Sequence, residues 1–106
     1  MTLAEEILNL LSGITDPAMR MDVNTTIHFL GEMFCIGKVD EDKLRSELRQ
    51  ICEDVIAYSY PDLTDEDIKA KAEEFTDRLV REIRVENVAR RMMRRIPLAT
   101  ERLAGI

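Results

Sequence analysis

A chain of 106 residues, 45% hydrophobic and 34% charged, can bury one core without disulfide or metal staples; this balance excludes a disordered segment. No apolar run approaches the ~20 residues of a membrane span. Charge is split along the chain: residues 1–75 hold seventeen Asp/Glu against seven Lys/Arg, and residues 76–106 hold four against eight, within a net −6.

The start, Met1-Thr2-Leu3-Ala4-Glu5-Glu6, lacks the basic and apolar parts of a secretory leader, so a cytoplasmic protein is expected, folded as one helical domain over 1–106. One Gln, three Asn and many arginines lean towards a thermophile. Thr2 with Glu5 forms a capping box ahead of Leu3, Ile7, Leu10 and Leu11, and Gly13 supplies a stop. Asp16-Pro17 restarts the chain as N-cap and first helical residue. This second helix runs towards Ile36 and is closed by Gly37, with Asn24-Thr25-Thr26 as a weak spot where it could divide. Val23, Ile27, Leu30 and Phe34 form one stripe, with Phe29, Met33 and Ile36 beside it. So broad an apolar surface is expected either at the centre of a bundle or at a subunit interface.

Asp40 opens a third helix with the stripe Leu44, Leu48, Ile51, Val55 and Cys52 alongside, ended by Ser59-Tyr60-Pro61. Thr64 with Asp67 caps a fourth, whose stripe is Ile68, Ala72, Phe75, Leu79, Ile83. No strand pattern competes, and the short connections imply antiparallel neighbours: an all-α, compact bundle of four to five helices. Cys35 and Cys52 fall on the order of 15–20 Å apart in such a hairpin, too far for a disulfide, so two buried, reduced thiols are expected.

The last segment is the unusual one. From Asp65 to Ile96 a straight helix would be roughly 48 Å long, beyond the ~35 Å of a globule this size. Its apolar face also moves: at ~100° per residue, Val85, Val88, Met92 and Ile96 sit roughly 140° from the Ile68–Ile83 stripe. The helix must bend near residues 84–87 or project from the bundle, and Pro97 is expected to end it.

Arg90, Arg91, Arg94 and Arg95, with Arg84, share the side opposite that second stripe. Guanidiniums at this spacing could follow nucleic-acid phosphates, or pair with acidic helices of the same or a neighbouring subunit. The favoured expectation is a non-catalytic interaction module whose basic helix contacts nucleic acid or a nucleoprotein assembly through Arg84, Arg90, Arg91, Arg94 and Arg95. The alternative is a protein–protein adaptor or assembly subunit with those arginines in salt bridges. A homo-oligomer, with a dimer as its expected form, would assemble through Phe29, Met33, Ile36, Val85, Val88, Met92 and Ile96. An acidic protein is another expected partner type; membrane binding is not expected, for want of Trp or Phe anchors on the basic helix.

Catalytic patterns are sparse. Glu73-Glu74-Phe75-Thr76-Asp77 resembles the first half of the acidic metal motif of all-α nucleotide pyrophosphohydrolases of the MazG type, which implies a metal-dependent enzyme as a weaker alternative. The downstream E-x-x-D of that family is missing, since Glu86 is followed by Ala89 and Glu101 by Ala104. His28 is the one histidine and shares a face with Glu32, two ligands where a structural zinc needs four. Asp62–Glu73 has calcium-loop oxygens but Asp67 where the turn demands glycine. Tyr58 and Tyr60 flank the third loop and read as cover for a bundle end. No catalytic residue, metal or cofactor is expected.

Overall fold

The computed structural model describes the backbone of residues 1–104 and the side chains of residues 1–93. Four α-helices follow one another: α1 (Leu3–Leu10), α2 (Pro17–Cys35), α3 (Glu41–Ser59) and α4 (Asp65–Ala104), with a 3-10 turn at Leu11–Gly13. Each begins where a side chain can take an orphan backbone donor. Thr2 accepts from the Glu5 amide at 3.2 Å, Asp16 from Ala18 at 3.0 Å, Asp40 from Lys43 at 2.8 Å and Thr64 from Asp67 at 3.2 Å. Gly37, at φ +77°, closes α2 in a left-handed conformation that a side chain would strain.

The all-α bundle predicted from periodicity is the observed fold. Leu3, Ile7 and Leu10 of α1, Leu44, Leu48, Cys52, Val55 and Ile56 of α3, and Ala72, Leu79, Val80 and Ile83 of α4 are at most 4% exposed. The most extensive contact is between α3 and α4, which Arg45 and Arg49 also tie together by pairing with Glu73 and Asp77. Gly13 allows the 3-10 turn to touch the end of α3, since a Cβ there would lie 2.6 Å from Ser59 Cβ.

Several features depart from the sequence expectations. The Asn24–Thr26 segment does not divide α2: the helix runs on, and Thr26 donates its hydroxyl to the Asp22 carbonyl one turn back, at 2.8 Å, which keeps that polar group satisfied within the helix. Of the two places expected for the broad surface of α2, the centre of the bundle is not the one observed: the helix buries only Ile27 and Gly31, leaving Phe29 and Ile36 exposed. Pro97 does not end α4, which continues to Ala104. The carbonyl that loses its donor to the proline ring belongs to Met93, 67% exposed, where water can take the bond.

Between bending and projecting, α4 projects. As one helix of 40 residues, it should measure ~60 Å. The molecule extends 65 × 28 × 22 Å, so α4 runs essentially straight and sets the long dimension. The Cα radius of gyration is 16.8 Å, against ~13 Å for a compact chain of this length. The chain is a bundle with an arm. Cys35 and Cys52 are both free thiols, but only Cys52 is buried; Cys35 is half-buried.

Candidate functional site: the projecting half of α4

The arm begins where α4 runs out of neighbours. Ile83, 1% exposed, is the last fully buried residue among those described in the helix and packs beside Gly31 of α2. Two residues later the apolar positions turn outward: Val85 and Val88 are 57% exposed and Met92 63%. At ~100° per residue these three lie roughly 140–200° from Ile83, on the side of the helix opposite the core.

On the inward side the bundle offers acids. Arg84 pairs with Glu41, in the first turn of α3, and Arg90 pairs with Glu32 near the end of α2, with Glu86 4.0 Å away. The bond from Glu32 holds the Arg90 guanidinium above its ordinary value. These half-exposed pairs are each worth at most ~1 kcal/mol, enough to orient the root of the arm but not to hold the fold. Arg91 is exposed and makes no ion pair with a described side chain. The side chains of Arg94 and Arg95 lie outside the described residues.

The expected interface positions fall on two separate surfaces. Gly31 marks the side of α2 turned to α4, and Phe29, Met33 and Ile36 lie roughly 140–200° around the helix from it. Phe29 and Ile36 are 56% and 52% exposed, and Met33 is half-buried. Val85, Val88 and Met92 occupy the outer side of α4, so the two sets flank the α2–α4 junction rather than merge. The side chain of Ile96 is outside the described residues.

The acidic motif of α4 is occupied by arginines. Glu73 meets Arg49 at 2.8 Å and Arg45 at 3.8 Å, Asp77 pairs with Arg45, and Glu74 meets Arg78 at 2.7 Å. A metal would have to displace these guanidiniums, and among the described residues no three His, Cys, Asp or Glu side chains gather as a metal site. Glu32, the partner expected for His28, is engaged by Arg90. His28 instead lines an open cleft of about 390 Å³ between α1 and α2, with Leu8, Leu11, Met21 and Asn24. Arg20 at its edge is spent on the carbonyls of Leu11 and Ile14, at 2.7 Å each. Burial pushes the Cys52 thiol up to about 11, which removes it as a nucleophile near neutral pH.

Reading Pro97 as a stop hid part of the arm: the helix carries Ala99, Arg102 and Leu103 onward in register. Their signal was a continuing apolar period beyond the proline. No helix among the described residues is long and apolar enough to cross a membrane. Comparison with protein-family models, with curated proteins and with solved structures finds no match to this chain.

Proposed function

We propose that this chain is a non-catalytic assembly or adaptor module, in which the acidic bundle holds out the second half of α4 as a docking arm for a protein partner. The observation that carries this reading is the outward stripe Val85, Val88 and Met92, on a helix that has left its own core. Exposed apolar side chains at helical spacing gain free energy only when something covers them. The pairing of Arg84 with Glu41 and Arg90 with Glu32 supports it further, because two of the five candidate phosphate contacts are already engaged. A homodimer through the stripe is one form of this docking.

Nucleic-acid binding is the second reading, favoured by exposed Arg91 and by the helical register of Arg94 and Arg95 beside it. Titrating fluorescent single- and double-stranded DNA and RNA with the full chain at ~50 mM salt separates the two. The docking-arm reading expects no saturable binding. Binding that falls with salt at a log–log slope of about −3 to −4, and is lost on Arg91→Glu with Arg94→Glu, would replace it with the nucleic-acid reading.

A further inference from the structure

We infer that the arm's partner is an acidic amphipathic helix: an apolar stripe with Asp or Glu along its edge, laid against Val85, Val88 and Met92. The inference rests on the docking-arm reading and specifies its chemistry. Because α4 continues through Pro97, the apolar positions extend to 85, 88, 92, 96, 99 and 103. Positions 85, 88 and 92 recur eleven residues later as 96, 99 and 103. An eleven-residue repeat, ~3.67 residues per turn, keeps a stripe on one face of a nearly straight helix. The stripe spans ~27 Å, the length of a partner helix of about five turns.

Charge selects the partner. Positions Arg84, Arg91, Arg95 and Arg102 fall within about 40° of one another along one edge of the stripe. Arg84, at the root, is held by Glu41, and the row continues along the arm with Arg91, Arg95 and Arg102. The opposite edge is Ala89, Met93 and Thr100. In an antiparallel pair of arms from two copies, like edges meet and the arginine rows repel. In a parallel pair, each row meets Ala89, Met93 and Thr100. The acids of that opposite edge, Glu82 and Glu86, lie at its root, so along the arm neither arrangement sets an acid opposite Arg91, Arg95 and Arg102. A helix with Glu or Asp at its edge, by contrast, pairs with the whole row while covering the stripe. Without Trp or Phe, the stripe also lacks the anchors of a membrane-surface helix.

The test uses the full chain and two designed helical peptides that share one apolar stripe, with Glu along the edges of one and Lys along the edges of the other. Fluorescence anisotropy at physiological salt should show the Glu peptide binding about tenfold or more tightly than the Lys peptide, three rim pairs acting together. Val88→Glu with Met92→Glu should remove binding without lowering helicity or Tm, and Arg91→Glu with Arg95→Glu should reverse the preference. Equal affinity for both peptides would overturn the acidic partner while leaving the docking arm standing. So would failure of both peptides to bind a chain that sediments as a dimer and becomes a monomer on Val88→Glu with Met92→Glu. If neither peptide binds a chain that is already monomeric, both the inference and the docking arm fall.

Discussion

The two halves of α4 use the same kinds of residue for different ends. In the first half Leu79, Val80 and Ile83 are at most 1% exposed, closed in against the other helices of the bundle. In the second half Val85, Val88 and Met92 stand 57–63% exposed on the opposite side of the same rod. The change takes two residues, from Ile83 to Val85, and needs no bend or break in the backbone. An apolar stripe states that a face is to be covered; what covers it depends on which elements lie alongside. The first half is held by burial, the second by its own ladder and by two ion pairs at its root.

The sharpest way to break this comparison is to truncate one apolar side chain from each half. Leu79→Ala leaves a cavity in the core and should cost ~3 kcal/mol in urea unfolding. Val88→Ala removes methyls already in water and should stay within ~0.5 kcal/mol. Equal costs would mean that the arm's stripe is packed in the unliganded protein.

A second consequence of burial is confined to the bundle. The Cys52 thiol ionises at about 11 in the folded chain against an ordinary 9.0, chiefly because it is buried. The folded state therefore holds its proton after the unfolded state has lost it. Below pH 9 the group adds no pH dependence; between pH 9 and 11 stability should fall, by up to ~2–3 kcal/mol in all. Cys52→Ala should remove that part of the decline. Half-buried Cys35 should react with a thiol reagent at pH 8 while Cys52 stays silent until the protein unfolds.

The smallest effect lies at the junction of the halves. A Cβ on Gly31 would sit 3.6 Å from Ile83 Cγ1, an ordinary contact. Gly31→Ala should stabilise the protein by ~0.5–1 kcal/mol, by raising helix propensity at a position inside α2, one turn before its end. A loss of stability would show that α2 and α4 approach each other more closely than that spacing allows.

Most of the bundle was legible in the sequence because caps and periodicity act locally. Thr2, Asp16, Asp40 and Thr64 mark the four helix starts, and the stripes of the first, third and fourth helices name most of the core. The role of α2 was less legible, because a broad apolar surface does not say which side is covered: Phe29 and Ile36 look as buriable as Ile27. Pro97 misled for a related reason. A proline is best tolerated where the carbonyl it leaves without a donor can bond to water, here that of exposed Met93. The acidic motif at Glu73–Asp77 matched a metal site only while Arg45 and Arg49 were distant in sequence; α3 packing brings them onto it. For the arm, the displaced stripe and arginines were plain, but only the fold shows which arginines have acids within reach.

Amide hydrogen exchange along α4 in the unliganded chain tests most directly that one helix serves two purposes. Amides of residues 72–83 should exchange only on global unfolding. Those of residues 86–93 should exchange orders of magnitude faster, because only the Arg90–Glu32 pair at the surface ties their ladder to the bundle, and should slow down when the Glu-edged peptide is added. Uniform protection through residue 93 in the unliganded protein would contradict the division of α4, placing the stripe inside a structure the bundle already completes.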